Sequence, residues 1–191
     1  MAIDPKFHHR GSIRLREYDY SQPGGYFVTL CTHGRECILG DIAGGNVQLN
    51  QFGEIVKEEW LRTEQIRPEI TMDEFMVMPN HMHGIIVINP VGATRRVAQK
   101  YRATHRVART GTGRPCGPVA GSIGAIMGQF KSIVTKRINL LRKTPLTPIW
   151  QRNYYEHVIR DEENLNRIRQ YIIDNPVKWD EDEENPQNWK K

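Results

Sequence analysis

Cysteine is scarce and odd in number: Cys31, Cys37 and Cys116 are the only three. None stands in a CxxC pair or at zinc-finger spacing, which excludes a disulfide scaffold and a structural zinc site and makes a reducing cytosol the expected setting. Long hydrophobic runs are missing as well. No apolar stretch approaches the roughly 18–20 residues that cross a bilayer. Residues 1–11 are polar and basic where a secretory signal would be apolar, so secretion is not expected. No GxxxxGK[ST] phosphate loop occurs, so nucleotide-driven chemistry is not expected either. What remains, 191 residues of which 38% are hydrophobic, suffices for one domain with a core, or for one domain with an insertion.

Acidic residues are absent from one stretch in particular. Residues 92–118 carry Arg95, Arg96, Lys100, Arg102, Arg106, Arg109 and Arg114 and no Asp or Glu. The formal charge of +5 less those seven leaves −2 for the rest of the chain. A basic strip on a near-neutral body suits a polyanion, most simply nucleic acid, and also suits a solvated loop. Within it Ala93-Thr94-Arg95-Arg96-Val97-Ala98 is nearly repeated as Ala103-Thr104-His105-Arg106-Val107-Ala108, too short for a solenoid. With its closing glycines and prolines the strip reads as a flexible insertion. At the other extreme, residues 180–184 are five consecutive acids, which read as the start of an acidic, polar tail over 180–191.

Between these features the elements are legible. After an arm over 12–22, Gly24-Gly25 opens a strand through Thr32, and 40–45 reads as a Gly-rich turn. Phe52, Ile55, Val56, Trp60 and Leu61 give a helix over about 50–63. Strands follow over 70–78 and 81–89, the second apolar enough to be central. Ile123, Ile126, Met127, Phe130, Ile133, Val134 and Ile138 mark a helix over about 122–141, with Lys131 and Lys136 on its flank. A short strand is expected within 150–160. Asp161 then caps a last helix with Leu165, Ile168 and Ile172 inside, and Pro176 is expected to bar helical geometry at Asn175 or soon after. This order predicts an α+β sandwich of the ferredoxin-like (RRM-like) kind: an antiparallel sheet with helices on one face, plus the C-terminal helix.

Two groups of residues could carry chemistry. In a strand His81 and His83 project from one face, about 7 Å apart at the backbone, while Met82 points into the core. Such a pair can converge on a divalent ion, and equally can be two satisfied polar residues on a wet face. On the last helix Tyr171 and Asn175 share a face one turn apart. A phenol with a pKa near 10 is a poor nucleophile at neutral pH unless a metal aligns and polarises its target. Taken alone, Tyr171 also suits an interfacial ring and Asn175 a helix end before Pro176.

Together the groups form a pattern. Val77-Met78-Pro79-Asn80-His81-Met82-His83-Gly84, followed far downstream by Tyr171-Ile172-Ile173-Asp174-Asn175-Pro176-Val177-Lys178, resembles the single-tyrosine HUH transposases, and more closely the REP-associated tyrosine transposases. Tyr26-Phe27-Val28-Thr29, Gln129-Phe130-Lys131 and residues 149–160 support the likeness in the same order, over roughly 14–179.

The resemblance implies an enzyme that nicks and rejoins single-stranded DNA with hairpin ends, in transposition. His81, His83 and Asn175 would hold Mg²⁺ or Mn²⁺, and Tyr171 would form a 5′-phosphotyrosine link. Tyr154 and Tyr155 are rivals for the nucleophile, but they precede the helix. Arg95, Arg96, Lys100, Arg102, Arg106, Arg109, Lys131 and Lys136 are the candidate DNA contacts. The expected organisation is a catalytic domain over 12–179, interrupted at 92–118 and followed by the tail. A monomer or homodimer in the cytoplasm, at the nucleoid and away from membranes, is expected. One competing expectation is a domesticated hairpin-binding protein that no longer turns over in the cell. Another, an RRM-type RNA binder, would need aromatic platforms that 77–88 lacks.

Overall fold

The computed structural model describes residues 18–90 and 118–189. The basic candidates between Arg95 and Arg109 therefore lie outside the described residues, as does the near-repeat. The first strand, β1 (Gly24–Cys31), is followed by a hairpin of β2 (Gly40–Ala43) and β3 (Asn46–Leu49) and by helix α1 (Gln51–Ile66). Next come β4 (Ile70–Val77), β5 (His81–Ile88), α2 (Ile123–Leu141), β6 (Tyr155–Ile159) and α3 (Glu162–Asp174). β4, β5, β1 and β6 lie side by side in that order, every pair antiparallel. This is the expected ferredoxin-like α+β sheet.

Alternation along the strands builds two faces. Tyr26, Val28 and Leu30 of β1 and Met82, Ile86 and Ile88 of β5 point into the main core, against Val56 and Trp60 of α1 and Met127, Phe130 and Val134 of α2. Gly84 sits on this face because a Cβ there would collide with the Trp60 indole. The opposite face carries a smaller cluster, Phe27, Ile85 and Ile172, with Met76, Ile159, Leu165 and Ile168 packed around it. That small cluster holds α3 on the sheet, with Ile85 and Ile172 fully buried and worth about 1.5–3 kcal/mol each, and Phe27 nearly so. Among the described residues, no helix is long and apolar enough to cross a membrane.

The caps are polar side chains where the chain enters each helix. Asn50 Oδ1 accepts from the amides of Phe52 and Gly53, Ser122 Oγ from Ala125, and Asp161 Oδ1 from Asn164, the last as expected from the sequence.

Three expectations need correction. Residues 40–45 are part of a hairpin rather than a simple turn: Gly44 and Gly45 take positive φ of 58° and 73°, the geometry of a tight two-residue connection. Asn175 keeps helical dihedrals (φ −56°, ψ −43°) directly before Pro176. The preference for extended geometry before proline is overridden here by a continuing turn, closed by Lys178 N donating to Asp174 O at 3.2 Å. That turn leads into 3₁₀ turns at Trp179–Glu181 and Pro186–Trp189. The acidic run read as a tail instead folds back over β5, with Trp179 beside His81 at a ring separation of 6.0 Å.

Candidate active site

His81 and His83 are adjacent on the α3 side of β5, and both are buried. Their Nε2 atoms lie 3.0 Å apart. Each Nδ1 is held from outside the pair. Asn80 donates Nδ2 to the carbonyls of Arg35 (3.0 Å) and Glu184 (2.7 Å), so its Oδ1 faces His81 Nδ1 at 2.9 Å and must accept. This hydrogen-bond pattern assigns the His81 proton to Nδ1 and leaves its Nε2 lone pair bare. Thr29, the cross-strand partner of His83, places Oγ1 2.8 Å from His83 Nδ1. With no cation, His83 supplies the Nε2–H that bridges to His81 and Thr29 donates to Nδ1. Binding a cation would require both Nε2 atoms as bare lone pairs, with His83 protonated at Nδ1 and donating to Thr29 Oγ1.

Burial pushes the His81 pKa down to about 4, opposed in part by the Asp182 carboxylate. His83 is also pushed well below its ordinary value, first by burial and then by His81. Both imidazoles are neutral at pH 7, which is the form that binds metal.

Tyr171 reaches the pair from α3. Its hydroxyl is 3.3 Å from His83 Nε2, and its ring meets His83 and Phe27 edge-on. Burial, and then the carboxylates of Asp182, Glu184 and Glu183, raise its pKa to about 12. One turn on, Asn175 is buried and donates Nδ2 to Asp182 Oδ2 at 3.1 Å. Its Oδ1 is buried with no hydrogen-bond partner among the described residues. A buried amide oxygen left unpaired costs about 1–3 kcal/mol.

Asp182 is the member that sequence reasoning missed. Its Oδ2 lies 3.9 Å from His81 Nε2, and the ligand atoms of His81, His83 and Asp182 are all within 4.8 Å of one another. Nothing in the spacing marks Asp182 among five consecutive acids. Only the fold-back after Pro176 selects it, and Glu184 pins that segment through an ion pair to Arg35 at 2.8 Å. Two neutral imidazoles, a carboxylate and an orphaned amide oxygen form a donor set that fits a divalent cation.

The structure thus brings His81, His83, Tyr171 and Asn175 together; His83, Tyr171 and Asn175 line one side of a cavity of about 530 Å³, and His81 lies buried behind them. Tyr155 lines the same cavity, beyond Phe27, whereas Tyr154 packs against the main core. Lys131 and Lys136 are not brought to this site. They belong to α2, on the other face of the sheet, and the Lys131 amine is occupied by the carbonyls of Gln151 and Arg152.

No family model matches the chain. An uncharacterized protein of Haemophilus influenzae is 40% identical over 177 residues, covering 92% of this chain and 93% of the relative. The chain belongs to that protein's family. Among solved structures, this family member is similar to a REP-associated tyrosine transposase bound to a REP hairpin. The TM-score is 0.55 at 20% identity, covering 87% of this chain and 73% of the other. At that identity the likeness is one of fold, and the fold is that of the transposase.

Proposed function

We propose that this protein is a metal-dependent single-stranded DNA nicking and strand-transfer enzyme that acts on hairpin DNA through a covalent link to Tyr171. The observation that carries the proposal is the 3.3 Å approach of the Tyr171 hydroxyl to a buried, neutral histidine pair whose Nε2 atoms converge. The hairpin bound by the structurally similar transposase supports the choice of DNA.

His81, His83 and the Asn175 amide oxygen, with Asp182, would hold Mg²⁺ or Mn²⁺. When bound, the cation supplies Lewis-acid polarisation of a phosphate oxygen and favours the phenolate that the metal-free site disfavours. Asn80 and Thr29 keep the two imidazoles aimed at that point. Tyr171 gives its proton to solvent in the cavity it lines, and its oxygen attacks the scissile phosphorus. The new tyrosine–phosphorus bond replaces the bond to the 3′ oxygen, which leaves as a free hydroxyl. Reversal of the same exchange by that hydroxyl, or by one from another strand, rejoins the DNA. The ester keeps the energy of the broken bond, which agrees with the lack of a nucleotide-binding motif.

Incubation with a labelled single-stranded hairpin and Mn²⁺, followed by denaturing electrophoresis, tests this. A protein–DNA adduct that disappears in EDTA and in His83→Ala is expected. Adduct formation that persists in EDTA would dispose of the metal-dependent reading. Hairpin binding with no adduct in any divalent metal would leave only a binding protein.

A further inference from the structure

We propose that the Asp73–Arg169 ion pair sets the roll of α3 about its own axis and so aims the Tyr171 hydroxyl at the histidine pair. Asp73 and Arg169 are then positioning residues, and the inference rests on the assignment of Tyr171 as nucleophile.

The apolar ridge of α3 is narrow. Leu165, Ile168 and Ile172 face the sheet, and of these only Ile172 is fully buried. A single ridge fixes where a helix sits but resists rotation weakly. Arg169 and Tyr171 are two residues apart, which is about 200° round a helix. They therefore stand on opposite flanks of the ridge, one over each side of the Phe27–Ile85–Ile172 cluster. On the Tyr171 flank lies His83. On the other, Arg169 donates Nε to Asp73 Oδ1 at 2.8 Å and Nη2 to Asp73 Oδ2 at 2.5 Å, a two-pronged grip. A third guanidinium nitrogen, Nη1, donates to Asn166 Oδ1 at 3.1 Å, so the fork is tied to its own helix as well.

The carboxylate is fixed by a defect in the sheet. β4 is an edge strand, and its register against β5 slips between Met72 and Phe75: Met72 faces Ile86, and Phe75 faces Gly84. Two residues thus oppose Ile85 alone, which is a β-bulge. The bulge puts Met72 and Phe75 on the same, core-facing side, although strict alternation would separate them. It also returns Met76 to the α3 side, opposite His83. Asp73 lies in the bulge, where its Oδ1 accepts from Glu74 N at 2.7 Å. The carboxylate is thereby presented toward α3 at the free edge of the sheet. A roll of about 10° would move a hydroxyl roughly 6 Å from the helix axis by about 1 Å. A misplacement of about 1 Å in reacting groups costs on the order of 100-fold in rate.

The test uses the full chain with Asp73→Ala, Arg169→Ala and the double variant. Single-turnover adduct formation at saturating hairpin is measured beside hairpin affinity and the thermal midpoint. In parallel, the ¹⁹F spectrum of 3-fluorotyrosine-labelled, metal-free protein is recorded, with the Tyr171 signal assigned by Tyr171→Phe. Each single variant should slow adduct formation at least tenfold with affinity and midpoint near wild type. The double variant should be no slower than either single, and the Tyr171 signal should shift or broaden. Rates within twofold of wild type, losses that multiply in the double variant, or losses that merely follow affinity would overturn the proposal. If the wild type forms no adduct, the nucleophile assignment fails on its own. The ¹⁹F signal then decides the clamp: movement in the variants upholds it, and an unchanged signal overturns it.

Discussion

A series of urea denaturation curves between pH 7.5 and pH 4.5 measures directly what the burial of His81 and His83 costs the fold. An unfolded histidine titrates near 6.5, whereas His81 is held down to about 4, chiefly by burial. Below pH 6.5 the unfolded chain therefore takes up a proton that the folded chain refuses. The stability in question is fully present above about pH 6.5 and is lost as the pH falls toward 4. For His81 that depression is worth about 3 kcal/mol, a large part of the roughly 5–15 kcal/mol of a typical domain. His83 is depressed as well, so the slope between pH 6 and pH 5 should lie between about 1.4 kcal/mol per pH unit for one proton and about 2.7 for two. Native carboxylates add their own acid sensitivity, so the informative quantity is the difference between wild type and a His81→Gln/His83→Gln variant. The variant should be flatter by that slope. Parallel curves for the two proteins would refute the claim that the pair is buried and neutral.

Mass action gives a second prediction: Mn²⁺ at a hundred times its dissociation constant should add about 2.7 kcal/mol, on the order of 5–10 °C in midpoint for a domain of this size. Asp182→Asn should shrink that gain, and an undiminished gain would remove Asp182 from the site. Gly84→Ala forces a methyl into the Trp60 indole and should destabilise by about 1–3 kcal/mol in urea unfolding; a neutral result would mean that the β5–α1 contact yields freely. Replacing residues 92–118 with a short Gly/Ser linker should flatten the dependence of hairpin affinity on salt through loss of seven charges, without moving the cut. A shifted cleavage position with an unchanged salt slope would make that stretch a reader of sequence.

What was legible in the sequence was what local periodicity encodes. Alternation alone put His81 and His83 on one side and Met82 on the other, and the spacing of Tyr171 and Asn175 put both on one flank of α3. The hairpin at 40–49 was hidden because its strands are only four residues each and the glycines dominate the composition. Asp182 was hidden for a different reason. Its role depends on Asn175 keeping helical geometry before Pro176, a choice that the Asn175–Asp182 hydrogen bond helps to stabilise and that no local rule predicts. Asn80 was visible only as a turn residue. Its work on His81 depends on carbonyls from Arg35 and Glu184, which are 45 and 104 positions away. Lys131 illustrates the converse, a flanking cation whose amine the fold spends on two backbone carbonyls.

The most direct test of the central claim is peptide mapping of the covalent product formed with a single-stranded hairpin and Mn²⁺. One phosphodiester-linked peptide is expected, carrying DNA through a 5′ phosphate on Tyr171, with no adduct in Tyr171→Phe despite near-normal hairpin binding. An adduct mapped to Tyr155, or one that forms at the wild-type rate in Tyr171→Phe, would contradict that claim.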